Sequence, residues 1–310
     1  MEDESKMSLE KIKKLIHSKQ KSKNQWPLWK LKRGAQKQYR IAHGKPCNLK
    51  NPKLFTEKLI WYKLFYLPDN IIQIVDKYYF KEYIRQRLGD GYTIPLYGAW
   101  TNLEDFRRDF TTLPQQFCLK STLQSDGKCI KVIKNKNEVN LDALLEEVKE
   151  WLDPKKTLIN SFCRAYHKGT PRFLAEEYVT QVDAHLDDYK FFCFSGVPQY
   201  IYVCTDRNPG EITKISFYDT EWHRLNVQYG KHGANNVPKP LHFEEMMEIS
   251  RKLSAEFPFI RVDFFNTDEK LYVAELTFYP GGGMTPYYPE SFDREMGDLF
   301  ILPKETAVQK

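Results

Sequence analysis

Phe259–Gly283, FIRVDFFNTDEKLYVAELTFYPGGG, sets charged residues inside the two most strand-like runs of the chain. Phe259 to Phe265 and Leu271 to Phe278 are rich in β-branched and aromatic residues, and the polar segment Asn266 to Lys270 reads as a hairpin loop. Alternation places Arg261 and Asp263 on one face of the first strand, with Ile260, Val262 and Phe264 on the other, while Glu275 and Thr277 share a face of the second. Opposed residues of an antiparallel pair point to the same side, so pairing Asp263 with Glu275 also pairs Arg261 with Thr277. A slip of two residues keeps all four together, and only an odd slip separates them. Two carboxylates side by side repel and are costly to bury unpaired, so such a face usually carries a cation. Mg²⁺ fits that description, because it takes oxygen ligands and combines one or two protein carboxylates with substrate phosphates. The structural alternative, commoner in proteins, is an ion pair of Arg261 with Asp263 or Glu275. Beyond the second strand, Pro280 and Gly281 to Gly283 leave bare backbone that allows a ligand to approach closely.

Working outward, Phe243 to Phe257 reads as a helix with Met246, Ile249 and Leu253 inward, delivering the chain to the hairpin. Asp206 to Pro240 is polar and rich in Gly, Asn and Pro, a long loop region where substrate-specific contacts often lie. Asp188 to Phe194 alternates as a strand with Asp188, Lys190, Phe192 and Phe194 on one face, followed by a strand at Tyr200 to Cys204. On that face Lys190 is either half of an ion pair or a phosphate ligand. Arg172 to Val179 is a strand ending in Glu176 and Glu177; carboxylates there can accept ribose hydroxyls, with adjacent backbone reading an adenine edge, or form an exposed acidic pair. Asn140 to Leu152 is an amphipathic helix. Lys120 ends the apolar strand Phe117 to Lys120 and opens a small polar loop, Ser121 to Lys128, before the strand-like Cys129 to Ile133. A lysine at the head of such a loop can cover a triphosphate, although lysines at strand ends are commonly just exposed. Upstream, one helix is expected from Thr56, as N-cap, to Pro68, and a second from Ile71 to Leu88; Tyr92 to Gly98 reads as a short strand interrupted by Pro95.

Residues 1–50 form a basic N-terminal extension in which Leu9, Ile12, Leu15 and Ile16 sit at helical spacing. Such a helix either lies on an anionic membrane surface or packs, solvated, on its own domain. The 310 residues are 41% hydrophobic and 15% aromatic, enough for a sizeable core. Forty-seven Lys and Arg against 41 Asp and Glu give +6, too modest and too interspersed to argue for nucleic acid. The six cysteines show no CxxC spacing, which argues against a zinc site or disulfide framework and suits a reduced cytosolic protein. No run of about 18 apolar residues occurs, and the N-terminus lacks the apolar core of a signal peptide.

The pattern Arg-Val-Asp-Phe, a short loop, then Ala-Glu-Leu-Thr-Phe-Tyr-Pro-Gly-Gly resembles the C-terminal signature of ATP-grasp ligases. Phe55-Thr56-Glu57-Lys58, Asp76-Lys77, Ile94-Pro95-Leu96, Leu113-Pro114, Phe117 to Lys120, Ala175-Glu176, DYKFFCF and Asp293 to Pro303 extend the likeness, in order, to the teichuronopeptide-biosynthesis (TupA-like) branch. The resemblance implies an α+β fold in which two lobes grip ATP between antiparallel sheets, with an N-terminal helical extension. It divides the chain into a helical region at 51–115, a small lobe at 116–176 and a large lobe at 177–310. It further implies that Lys120, with Ser125 and Gly127 of the loop, binds ATP phosphates, that Glu176 contacts the nucleotide and that Glu177, Tyr178 and Val179 line the adenine hinge. Asp263, Glu275 and Thr277 would hold Mg²⁺, Lys190 would sit near the γ-phosphate and Arg261 would meet the oxyanion. Thr277 replaces the usual Asn, and the phosphate loop is depleted to Ser125 and Gly127. The implied reaction joins a small-molecule or glycan carboxylate, such as a uronic acid of a cell-surface polysaccharide, to an amine through an acylphosphate. The expected setting is the cytoplasm or the inner face of the membrane. Two rival readings are a glycosyltransferase, disfavoured by the lack of a DxD motif beside an early βαβ unit, and a degenerate ATP-grasp module that binds without turnover.

Overall fold

The computed structural model describes residues 26–124, 129–153, 162–166, 169–179, 187–205, 213–267 and 269–304. The apolar stripe at Leu9 to Ile16 and the loop residues Ser125 and Gly127 lie outside them. The first helix, α1 (Leu28–His43), buries Leu31, Ala35 and Tyr39 at four-residue spacing and turns its basic residues outward, ending at Gly44.

Helix α2 (Phe55–Phe65) is buried almost all round. Its first turn is closed by Glu57, whose carboxylate accepts from the backbone N–H of Asn48, Lys53 and Leu54. Thr56 is therefore not the expected N-cap. It lies inside the helix, where its N–H and hydroxyl both donate to Asp293 at 2.9 and 2.7 Å. The single helix expected from Ile71 to Leu88 is two, α3 (Ile71–Val75) and α4 (Lys77–Leu88), because Asp76 leaves the helical conformation and caps α4 through Tyr78 N–H.

A four-stranded antiparallel sheet follows, containing β1 (Leu96–Trp100), β2 (Phe117–Ser121), β3 (Ile130–Ile133) and β4 (Phe173–Glu176) in the order β1-β4-β2-β3. The helices α5 (Leu103–Asp109) and α6 (Leu141–Trp151) cover it, and Trp100, Phe106, Phe117, Phe173, Leu145 and Trp151 fill a core of its own. Strand β1 thus pairs into this sheet, and Phe106 of helix α5 packs in its core.

The second sheet has six strands: β5 (Asp188–Phe194), β6 (Val197–Thr205), β7 (Lys214–Tyr218), β8 (Arg224–Leu225), β10 (Phe259–Asn266) and β11 (Leu271–Thr277), in the order β11-β10-β5-β6-β7-β8. Strands β7 and β8 fall inside the segment read as loop. A small ribbon pairs β9 (Gln228–Tyr229) with β12 (Tyr287–Tyr288), and α7 (Phe243–Ser254) and α8 (Glu290–Leu299) pack around the sheet. Phe55 on α2 is the hub, its ring 4.9–6.1 Å from those of Phe192, Phe194, Phe259, Tyr287 and Phe300.

The glycines after β11 pack protein on protein, not on a ligand. Gly283 (φ +74°) has no room for a Cβ, which would meet Ile60 Cδ1 at 2.9 Å and Thr56 O at 3.0 Å. Its carbonyl accepts from His43 Nε2, and that of Gly282 accepts from Lys63 Nζ. No disulfide joins the six cysteines, and no described helix is long and apolar enough to cross a membrane.

Candidate functional site

The β10–β11 hairpin pairs Asp263 with Glu275 and Arg261 with Thr277, and a bulge follows at once, Phe264 standing opposite Val273. Alternation therefore brings all four side chains to one face. From the neighbouring strand β5, Lys190 stands opposite Asp263.

The Asp263 carboxylate, 1% exposed, is almost saturated. It accepts Arg261 Nε and Nη2 at 2.6 Å each and Lys190 Nζ at 2.9 Å, using three of its roughly four lone pairs. Burial alone pushes this carboxyl up, but the adjoining guanidinium and ammonium outweigh it and hold the group below its usual range. Lys190 also reaches Asp188 at 3.1 Å. Arg261 donates further to Tyr202 OH at 2.9 Å and Thr277 Oγ1 at 3.3 Å. Of its five N–H groups, one on Nη1 has no acceptor among the described residues. Glu275 is far less committed, with its side chain 29% exposed and its nearest cation, Lys77 Nζ, at 3.9 Å.

The four-stranded sheet carries a second charged set. Lys120 at the end of β2 contacts Glu176 at the end of β4, and Lys81 of α4 reaches the other Glu176 oxygen at 2.9 Å. Burial raises the Glu176 carboxyl, yet the two lysines more than offset this and bring it below its usual range. Lys120 Nζ lies 6.0 Å from the centroid of the Phe265 ring, so the small-lobe cation faces the hairpin directly. After β4, the Glu177 N–H donates to Pro95 O, which commits that hinge amide to the protein. Tyr178 and Val179 follow, partly exposed.

Two contributors escape a reading of the sequence alone. Lys77 donates to Gln124 O at 2.6 Å and faces Glu275, joining the polar loop after β2 to the hairpin. Lys81 buttresses Glu176. Their signal was the Asp76-Lys77 pair and the helical spacing to residue 81, but in sequence they are two lysines on a basic helix.

The donors available to a cation are oxygens only: Glu275, the remaining lone pair of Asp263 and Thr277 Oγ1. This hard set fits Mg²⁺, which Glu275, Asp263 and Thr277 would hold through oxygen. No cluster of three or more His, Cys, Asp or Glu ligands occurs among the described residues.

A family model described as TupA-like ATPgrasp matches residues 57–301. Among solved structures, the chain is similar to D-alanine–D-alanine ligase from Bacillus anthracis (17% identity, TM-score 0.40, covering 66% of this chain and 56% of that one). It is also similar to the Helicobacter pylori D-alanine–D-alanine ligase (14%, 0.43, 75% and 62%). A third is N5-carboxyaminoimidazole synthetase from Staphylococcus aureus complexed with ADP (16%, 0.41, 67% and 46%). The chain thus spans less than two thirds of each. Comparison with the curated proteins gave no match. Because the family match runs from the second helix to the end of the last one, taking in both lobes and the hairpin, the chain belongs to the TupA-like ATP-grasp family.

Proposed function

We propose that the protein is an ATP-dependent carboxylate–amine ligase that acts on a glycan or glycan precursor, joining a uronic acid carboxylate to an amine. The observation that carries the reading is the hairpin face: Glu275, largely uncommitted, beside Asp263, Arg261 and Lys190, and opposite Lys120. A substrate carboxylate oxygen attacks the γ-phosphorus of ATP, ADP leaves, and the acylphosphate carbonyl then accepts the amine and expels phosphate. Lys120 and Lys77 bind phosphate oxygens, Lys190 holds the γ-phosphate with its third N–H, and the spare Arg261 N–H stabilises the tetrahedral oxyanion. Tyr178 and Val179 supply the hinge backbone, and Glu177, partly exposed, takes the ribose hydroxyls that the buried Glu176 cannot reach. Glu275, Asp263 and Thr277 would hold Mg²⁺, which supplies charge neutralisation across the phosphates.

The near-saturation of Asp263 favours a second reading, a module that binds nucleotide without turnover. One experiment separates the readings: thermal unfolding with ATP, Mg²⁺ and both, alongside ADP release in the presence of pooled uronic acids and amino acids. Mg²⁺ and ATP together should stabilise the fold far more than either alone. Glu275→Gln should keep the ligand-free stability to within about 1 kcal/mol, since its ion pair is long and part-exposed. It should lose both the Mg-ATP stabilisation and ADP release. Asp263→Asn should instead cost about 3–5 kcal/mol, because it strands Arg261 and Lys190 as buried cations. A Glu275→Gln protein that is less stable yet keeps its nucleotide response would make the hairpin face structural. Mg-ATP stabilisation without ADP release would favour the binding module.

A further inference from the structure

The paired residues Asp263, Lys190, Tyr202, Phe217 and Leu225 form one row across five strands of the large sheet. With strands about 4.8 Å apart, Leu225 stands roughly 19 Å from Asp263 on the same face. There it joins the wall of an open groove of about 630 Å³ formed with Arg224, Asn226, Gln228, Lys231, His232 and Tyr288.

The charge of this groove is one-sided. No carboxylate occurs among its described lining residues. Arg224 donates to a neutral acceptor, Asn236 Oδ1, at 3.0 Å, and Lys231 has no ion pair among the described residues. Of the acids nearest in the chain, Asp219 is hydrogen-bonded to His223 at 3.1 Å and Glu290 contacts Lys45, while Glu221 stands exposed beside His223 and outside the lining. Around these two cations stand two side-chain amides, Asn226 and Gln228, the latter donating to Gly230 O at 3.1 Å, and an aromatic ring, Tyr288, that is 53% exposed. Guanidinium and ammonium groups recognise carboxylates, amides recognise vicinal hydroxyls, and an exposed tyrosine offers a flat apolar face with a polar tip. A peptide polyanion would use the cations but leave the ring and the amides idle.

We propose that the groove between Arg224, Lys231 and Tyr288 holds the distal part of a carboxylated saccharide chain whose reacting end lies at Arg261. Only the placement of the reacting end rests on the ligase reading above. The separation of roughly 19 Å makes the groove a reader of chain rather than of the reacting unit.

The test uses the full chain without nucleotide and follows binding of end-labelled hexagalacturonate by fluorescence anisotropy, with maltohexaose and hexaglutamate as competitors. Hexagalacturonate should bind with an affinity that falls as salt rises, and neither competitor should match the unlabelled hexamer. The double variant Arg224→Ala/Lys231→Ala should weaken binding about tenfold or more, and Tyr288→Ala should weaken it too. Both changes lie on the surface, and unfolding temperatures close to wild type confirm that the variants are folded. No binding by the wild type, an unchanged affinity in the double variant, or equal competition by hexaglutamate would overturn the proposal. Failure of Mg-ATP to stabilise the wild type would sink the ligase reading without altering this readout.

Discussion

Burial lifts the Asp293 carboxyl from 3.8 to about 6, even though Thr56 donates two hydrogen bonds to it. The sign of the consequence follows from proton binding. Between those two pH values the folded state holds a proton that the unfolded state has released, so stability falls as pH rises from about 4 to about 6 and stays lower above that. The shift corresponds to about 3 kcal/mol. Asp293→Asn should flatten this segment of the stability–pH curve, measured by urea unfolding at several pH values; an unchanged slope would assign the dependence to other groups. Single residues also mark how far the sequence could be read. Alternation alone sets Arg261 with Asp263 and Glu275 with Thr277, and the register that joins the two pairs on one face is what the structure adds. The partner that nearly saturates Asp263 was not legible, because Lys190 arrives from a strand 73 residues away and pairing between strands is a tertiary choice.

Helix α8 meets the entry of α2 so closely that a Cβ on Gly297 would lie 2.1 Å from Lys53 O and 2.9 Å from Phe55 N. Helix propensity alone makes Gly297→Ala stabilising by about 1 kcal/mol. The clash is with backbone, which cannot swing away as a side chain can, and it decides the sign: we expect a loss of roughly 2–3 kcal/mol, read as a lower urea midpoint with unchanged m-value. A gain would mean that the two helices separate readily. Elements were legible where their period was unbroken, as in β5, α6 and α7. They were misread where a polar residue took a backbone role. Asp76 looks like one more polar position on a long helix, yet its side chain ends one helix and starts the next. The short strand KISFY, Lys214–Tyr218, was hidden by the polar, glycine-rich residues around it, and what orders it is pairing with β6.

At the scale of the molecule, the charged side chains of the two sheets are already matched with one another. Family membership made the fold legible, whereas the pairing depends on strand order: Lys120 meets Glu176 and Lys190 meets Asp263 across neighbouring strands, and Lys77 reaches Glu275 from helix α4. Lys77, Lys120, Lys190 and Arg261 each already look at a carboxylate: Glu275, Glu176, Asp263 and Asp263 again. Under the ligase reading, a nucleotide bound beside these side chains would exchange partners with groups already paired. The consequence is kinetic. A site neutralised from within projects little field into solvent, and steered association is the part of an encounter that salt suppresses. The association rate constant for Mg-ATP, followed by stopped-flow fluorescence, should change by less than about threefold between roughly 20 and 200 mM salt. A steep decline would reveal an open cationic funnel that the paired side chains do not provide.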